Sequence, residues 1–168
     1  MSKIQETGSP IYSFAPIADA QSKLLILGTI PGKESLRLKA YYAHPQNAFW
    51  KIIFNLHDLP FSTDHQVRRA VLLQKKIALW DVLRSCERRS SLDNDIRMEA
   101  PNDLRALLLS HPGITRIFFN GKGAARYFSK YFPDLSLQNH VLPSSSPAHA
   151  IRWEQKMEAW QVIKTTWS

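Results

Sequence analysis

The sequence predicts an α/β fold, a three-layer α/β/α sandwich around a mainly parallel sheet of about four strands. Three observations carry that reading. The runs KLLILG, IALW and ITRIFF, with a shorter QNHVLP, alternate with stretches whose apolar residues recur at helical spacing. The first three runs are almost continuously apolar, which suits strands buried on both faces of a parallel sheet better than half-exposed hairpins. A length of 168 residues, 44% of them hydrophobic, is enough for one domain with one sizeable core, spanning residues 1–168.

Residues 1–22, with Pro10 and Pro16 among small and polar side chains, are expected to form an irregular arm leading into a strand at Lys23 to Gly28. TIPGKESLRLKAYYAHPQ then reads as a long connection over a surface site. From Asn47, Phe49, Trp50, Ile53 and Phe54 form a helical stripe that Pro60 limits, and a second helix is expected from about Asp64 to Lys75. Ile77 to Trp80 is the second strand, and Asp81 is placed to cap a short DVLRSC helix. ERRSSLDNDIRMEAP is polar and broken. Asn102 is placed to cap DLRALLLS, which His111-Pro112-Gly113 ends. Ile114 to Phe119 is the third strand, and Asn120-Gly121 turns into a KGAARYFSKYF helix ended by Pro133. QNHVLP is the fourth strand, PSSSP a loop, and HAIRWEQKMEAWQVIKTTW a terminal helix. Phe118, Phe119, Trp153 and Trp160 are expected in the core or its shell.

Lys and Arg number 22 against 14 Asp and Glu, a formal charge of +8 spread over both halves of the chain. A distributed positive field favours an anionic partner, nucleic acid before a membrane surface. Cys86 is the sole cysteine, which excludes an intramolecular disulfide framework and a multi-cysteine metal centre and fits an intracellular, reducing compartment. No apolar signal core opens the chain, and no apolar stretch is long enough to span a bilayer. The six histidines show no HxxxH, HxH or HExxH spacing, so neither a metal nor another cofactor is expected.

Open parallel sheets place their sites beyond the carboxyl ends of the strands. The loops that should converge there are Gly28-Thr29-Ile30-Pro31-Gly32, the Asn120-Gly121 turn and Pro143 to Pro147. Gly28 and Gly32 would admit a ligand close to the backbone, with Pro31 stiffening the turn. GTIPGKES is not a phosphate-binding P-loop, because Lys33 and Glu34 stand where glycine and lysine are required, and the GxGxxG order of a dinucleotide turn is also missing.

The segment Tyr41-Tyr42-Ala43-His44-Pro45-Gln46-Asn47-Ala48-Phe49-Trp50 is more specific. With GTIPG, ALWDVL, IFFNG and LPSSSPAHA, it resembles the uracil-DNA glycosylase superfamily, particularly the mismatch-specific and hypoxanthine-DNA glycosylase branches, from Leu24 through the last helix. The resemblance implies a monofunctional enzyme that flips a deaminated base out of duplex DNA, cleaves its N-glycosidic bond and leaves an abasic site, working as a monomer. Many mismatch-specific relatives carry a water-positioning Asn where this chain has Ile30. The resemblance therefore shifts the catalytic amide to Asn47, which is also placed to cap the following helix.

Tyr42 matches the aromatic that stacks on a flipped base, and Gly28 to Gly32 with Phe49 complete the expected base-binding set. His44, Pro45, Asp81, Cys86 and Asn120 are expected to support the pocket. Lys33, Lys122, Arg126, Ser144, Ser145, Ser146 and His149 are expected to meet DNA, with Arg84, Arg88 and Arg89 extending the basic patch. Hypoxanthine is the leading substrate and uracil in a G:U mispair the alternative. Two other readings stand beside these: a noncatalytic damage-recognition module of the same fold, and a hydrolase using Ser144 or Ser145 with His149, which lacks the GxSxG elbow.

Overall fold

The computed structural model describes residues 9–167; the first eight residues of the expected N-terminal arm lie outside that range. Seven strands and six α-helices follow in the order β1 (Pro10–Tyr12), β2 (Leu24–Gly28), α1 (Lys33–Leu38), α2 (Phe49–Leu56), α3 (His65–Gln74), β3 (Ile77–Asp81), β4 (Leu83–Glu87), β5 (Arg97–Pro101), α4 (Leu104–Ser110), β6 (Arg116–Asn120), α5 (Lys122–Tyr131), β7 (Gln138–Leu142) and α6 (Trp153–Trp160).

The four apolar runs form one sheet in the order β3-β2-β6-β7, parallel throughout. Successive residues of a strand face opposite sides, so the continuous runs supply two cores at once. Leu24, Ile26, Leu79 and Phe118 meet α2, α3 and α6 through Phe49, Ile53, Leu72 and Trp160. Leu25, Leu27, Ile117 and Phe119 meet α4 and α5 through Leu104, Leu107, Ala124 and Phe128. Asp64 caps α3, its carboxylate accepting from the N–H groups of Gln66 and Val67. From β2 the chain crosses to β3 on one side, and from β6 to β7 on the other, so the strand order switches direction between Gly28 and Asn120.

Several local expectations give way to long-range pairing. DVLRSC is no helix: Val82 and Leu83 donate to the carbonyls of Gly28 and Thr29, and β4 is the centre of a second sheet, β1-β4-β5, antiparallel throughout. A five-residue segment that gains partners on both edges outcompetes a helix with few internal bonds. Asp81 therefore caps nothing. The supposed irregular arm contributes β1, and the polar ERRSSLDNDIRMEAP stretch contributes β5 after a 3-10 turn at Asp93–Asp95.

The long connection after β2 contains α1. The terminal helix starts only at Trp153 and passes into a 3-10 segment at Gln161–Trp167, so residues 149–152 are not helical. Helix α2 ends at Leu56, before Pro60, where Asp58 turns left-handed at φ 53°. The cap of α4 is Asp103, which accepts from Ala106, whereas Asn102 serves the sheets. Its amide donates to Ser13 Oγ at 3.0 Å, the Asp81 carbonyl at 2.8 Å and the Leu83 carbonyl at 3.1 Å, and its N–H donates to Val82. Among the described residues no helix is long and apolar enough to cross a membrane.

Asn102 therefore ties the end of β3 to the start of β4. Replacing it with alanine leaves buried carbonyls unpaired, a loss of about 1–3 kcal/mol. The expected readout is a lower urea midpoint at unchanged m-value; an unaltered midpoint shows that the bridge is dispensable.

Candidate active site

A pocket of about 690 Å³ opens beyond the carboxyl ends of β2 and β6, where the strand order switches. Six stretches of chain line it: Gly28 to Ser35, the turn that carries Tyr41, Tyr42, His44 and Asn47, then Asp81, the segment Ser91 to Asn94, Asn120, and the loop from Ser144 to His149.

Gly28 sets how tightly the wall closes. A Cβ there would lie 2.5 Å from both Asp81 Oδ1 and the Tyr42 hydroxyl, closer than real side chains approach, so only glycine lets these groups meet the backbone. The following loop is clasped from outside. Arg88 donates to the Pro31 carbonyl at 2.5 Å, Thr29 Oγ1 donates to Asp93 Oδ2 at 3.0 Å, and the Lys33 N–H donates to Ser91 Oγ at 3.0 Å.

Tyr42 sits at φ 50°, a strained backbone position for a residue with a side chain. Its neighbours hold it there. Tyr41 donates to the Ala15 carbonyl, the Trp50 indole donates to the Tyr41 carbonyl, and the Ala43 N–H donates to Ser35 Oγ. The Tyr42 ring stacks on Phe49 with centroids 4.2 Å apart, and Phe49 is fully buried. Phe49 therefore backs Tyr42 and does not itself line the pocket. In the turn, Nδ1 of the exposed His44 accepts from the Gln46 N–H. Asn47 Oδ1 accepts from the Phe49 N–H at 3.0 Å, starting α2 and leaving the amide's own N–H groups outside the helix.

The β6 side is closed by a two-way clasp. Asn120 donates to Ser145 Oγ at 2.8 Å and accepts from the Ser145 N–H at 2.8 Å, while the Ser145 carbonyl accepts from the Ala48 N–H at 3.0 Å. Ser145 is thus a buried fastener, and its hydroxyl is committed to Asn120 where a phosphate contact was expected.

Most of the expected site residues converge here: Gly28 to Gly32, Lys33, Tyr42, His44, Asn47, Asp81, Asn120, Ser144 to Ser146 and His149. Others do not. Pro45 is exposed outside the lining. Lys122 and Arg126 stand exposed on α5, Arg126 over the Tyr127 ring. Cys86 is a correction, since β4 turns it into the core behind the sheet. Arg88, expected on a surface patch, is buried beneath the Gly28 to Gly32 loop. Leu92, Asp93 and Asn94 also line the pocket and were not singled out in the sequence, because the segment has no periodicity; its one signal is the density of Ser, Asp and Asn.

Asp81 is pushed up to about 7, by burial first and then by the charge of Asp93, with the charge of Arg88 opposing both. Burial also raises Asp93, against the Thr29 hydrogen bond and the charges of Arg88 and Arg126. Tyr42 is raised by burial and then by Asp81. Asp81 Oδ2, the Tyr42 hydroxyl, and Nε and one terminal nitrogen of Arg88 are buried without a hydrogen-bond partner. Among the described residues, no group of three or more His, Cys, Asp or Glu is placed to hold a metal ion.

Residues 15–166 match the family model of the uracil DNA glycosylase superfamily. A hypoxanthine DNA glycosylase of Methanosarcina barkeri is 32% identical over 149 residues, covering 88% of this chain and 93% of that protein. A hypoxanthine DNA glycosylase of Methanosarcina acetivorans is 31% identical over 155 residues, covering 89% and 95%. The solution NMR structure of a candidate uracil DNA glycosylase from Methanosarcina acetivorans superposes with a TM-score of 0.80 at 28% identity, covering 92% of this chain and 96% of the other.

Asp81 gives the fold a pH dependence of definite sign. Between about pH 4 and pH 7 the folded protein keeps a proton that the unfolded chain releases, so stability falls as pH rises through that window. Asp81→Asn removes the term. In thermal melts it is expected to match wild type near pH 4 and exceed it above pH 7 by on the order of a few kcal/mol; parallel curves across the range would show that Asp81 ionises freely.

Proposed function

The chain belongs to the uracil DNA glycosylase superfamily, and from that premise we propose that it is a monofunctional hypoxanthine-DNA glycosylase, acting as a single-domain monomer on duplex DNA inside the cell. The damaged nucleotide leaves the helical stack and enters the pocket, because its glycosidic carbon is out of reach in an intact duplex.

The observation that carries this reading is the placement of Asn47 and Tyr42 in one pocket lining, in a chain whose first loop holds the apolar, buried Ile30. Isoleucine cannot hold a water. Asn47 can: its oxygen is anchored by the Phe49 N–H, which fixes the amide, and its NH2 group with a second oxygen lone pair orients the water that attacks C1′. An amide is too weak a base to deprotonate water, so orientation and electrostatics are its contribution. Tyr42, supported from behind by Phe49, offers a ring for the flipped base to stack on, and the backbone of Gly28 to Gly32 faces the leaving group. DNA phosphates adjoin the sugar as positive charge develops there.

Monofunctional chemistry is supported by the lining. Its one lysine among the described residues, Lys33, is exposed at the rim, whereas an amine nucleophile is normally desolvated or set beside another cation. Lys33, Lys122 and Arg126 stand exposed to meet phosphates, consistent with the charge of +8.

The test incubates purified protein with matched, hypoxanthine-containing and uracil-containing duplexes and measures free base and strand nicks separately. Hypoxanthine release without nicking is expected, with DNA affinity falling steeply as salt rises. Asn47→Ala should slow release about 10²–10³-fold while retaining DNA binding, and should lose about 1 kcal/mol with the hydrogen bond from the Phe49 N–H. Unchanged release by that variant removes Asn47 from the mechanism, and release of uracil alone reverses the substrate assignment.

A further inference from the structure

Asp81 is a buried, chemically capable group of the pocket wall that the proposed mechanism leaves without work. It ends β3, is 3% exposed and lines the pocket. Its carboxyl is not a structural fastener, because no hydrogen bond reaches Oδ2 and no ion pair holds it. Placing it there has required a glycine at position 28, since any Cβ would collide with Asp81 Oδ1. Buried polar groups are normally paired, and one left open inside a pocket points to a partner that the ligand supplies.

We propose that Asp81 is the general acid of this site, passing its carboxyl proton to N7 of the departing hypoxanthine as the C1′–N9 bond breaks. This rests on the glycosylase reading above. The chemistry balances without a further reactant. The C1′–N9 electron pair goes to the base, the Asp81 O–H proton goes to N7, and hypoxanthine leaves neutral. The hydroxide portion of the attacking water bonds to C1′, and the remaining proton restores the Asp81 carboxyl through the water that refills the pocket.

The surroundings keep that proton on Asp81. Asp93 faces it from the Ser91 to Asn94 segment and accepts the Thr29 hydroxyl, which stabilises its charge, while no donor reaches Asp81 Oδ2. Arg88, beneath the same wall, balances one carboxylate but not two, and it spends one nitrogen on Pro31. Tyr41 and Tyr42, facing from the turn before α2, are raised by burial first and then by the Asp81 charge, and are neutral. Asn120, on the β6 side, carries no charge. With Asp81 ionised the cluster would hold two buried negative charges against one positive; with Asp81 protonated it is balanced, and burial places the midpoint at about 7.

The role also bears on substrate choice. A purine carries a basic ring nitrogen, N7, away from the bond being broken, and uracil has none. General acid catalysis of this kind assists the purine and leaves the pyrimidine unassisted.

The test compares wild type with Asp81→Asn in single-turnover base release, from pH 5 to pH 9, on duplexes containing hypoxanthine or 7-deazahypoxanthine, in which a C–H replaces N7. On hypoxanthine, wild-type release is expected to fall as pH rises through about 7, and Asp81→Asn to be about 10²–10⁴-fold slower without that fall. On 7-deazahypoxanthine, wild type is expected to be slow and the variant no slower. Thermal melts and DNA binding of the same samples establish that the variant is folded and docks.

Equal slowing of both substrates by Asp81→Asn, or an alkaline fall that persists in the variant, overturns the proposal while leaving the glycosylase reading intact. Absence of hypoxanthine release by wild type overturns both, and is seen in that arm alone.

Discussion

The site depends on a missing methyl group. Gly28 ends β2 between its two parallel neighbours, β3 and β6, and the space a side chain would fill is taken by Asp81 Oδ1 and the Tyr42 hydroxyl. Both groups come from elements that cannot meet without that gap: Asp81 from the end of β3, and Tyr42 from a turn that lies between α1 and α2. The sheet supplies the precision. Gly28 pairs with Asp81 in register, Leu27 with Phe119, and Asn120 with Leu142, so four adjacent strand ends finish at the same level and their loops open on one crevice.

The second sheet makes the crevice a pocket. β4 starts two residues after Asp81, and the backbone of Val82 and Leu83 bonds to the first two residues of the β2 loop. The chain then returns as the Arg88 to Asp93 segment, whose side chains grip the same loop from its outer side. Opposite, the Asn120–Ser145 clasp fastens the loop after β7 to the end of β6, and Ser145 in turn fastens the start of α2. The first loop and the loop after β7 are thus both tied to strand ends by hydrogen bonds, which is how a polar site holds its geometry.

What could be read from the sequence divides along a physical line. Strands β2, β3 and β6 were legible because a continuous apolar run has no stable place except a sheet covered on both faces. The turn from Tyr42 to Asn47 was legible because its residue types recur in a known family in that order. The elements that were not legible acquire their structure from partners distant in the chain. LRSCE has no intrinsic claim to be a strand; Ile11, Tyr12 and Ala100 make it one. Asp81 before Val-Leu matches a helix start, yet its side chain is drawn into the interior. Asn102 and Asp103 are both good caps, and only the carbonyls of Asp81 and Leu83 decide which is released for the sheets. Arg88 illustrates the limit for charge: a basic residue in a polar run reads as surface, and burial against a backbone carbonyl leaves no local mark.

The groups left unsatisfied are not scattered. Of the described side chains that carry a buried polar atom without a partner, His57 lies apart beyond α2, and the other three, Tyr42, Asp81 and Arg88, belong to the cluster around the first loop, where Tyr42 also carries a left-handed backbone. Each unpaired polar group costs about 1–3 kcal/mol, and a strained backbone position a comparable amount. Folding alone would favour apolar replacements there, as it has chosen at Ile30 and Phe49. That the expense falls on one wall of one pocket indicates a geometry held for a ligand that supplies the missing partners. A planar base with donors and acceptors on its edge fits such a wall, stacking against an aromatic ring while its edge meets an uncharged carboxyl. The same neutrality that removes the electrostatic cost of Asp81 in the empty pocket is what equips it to give up a proton when the pocket is filled.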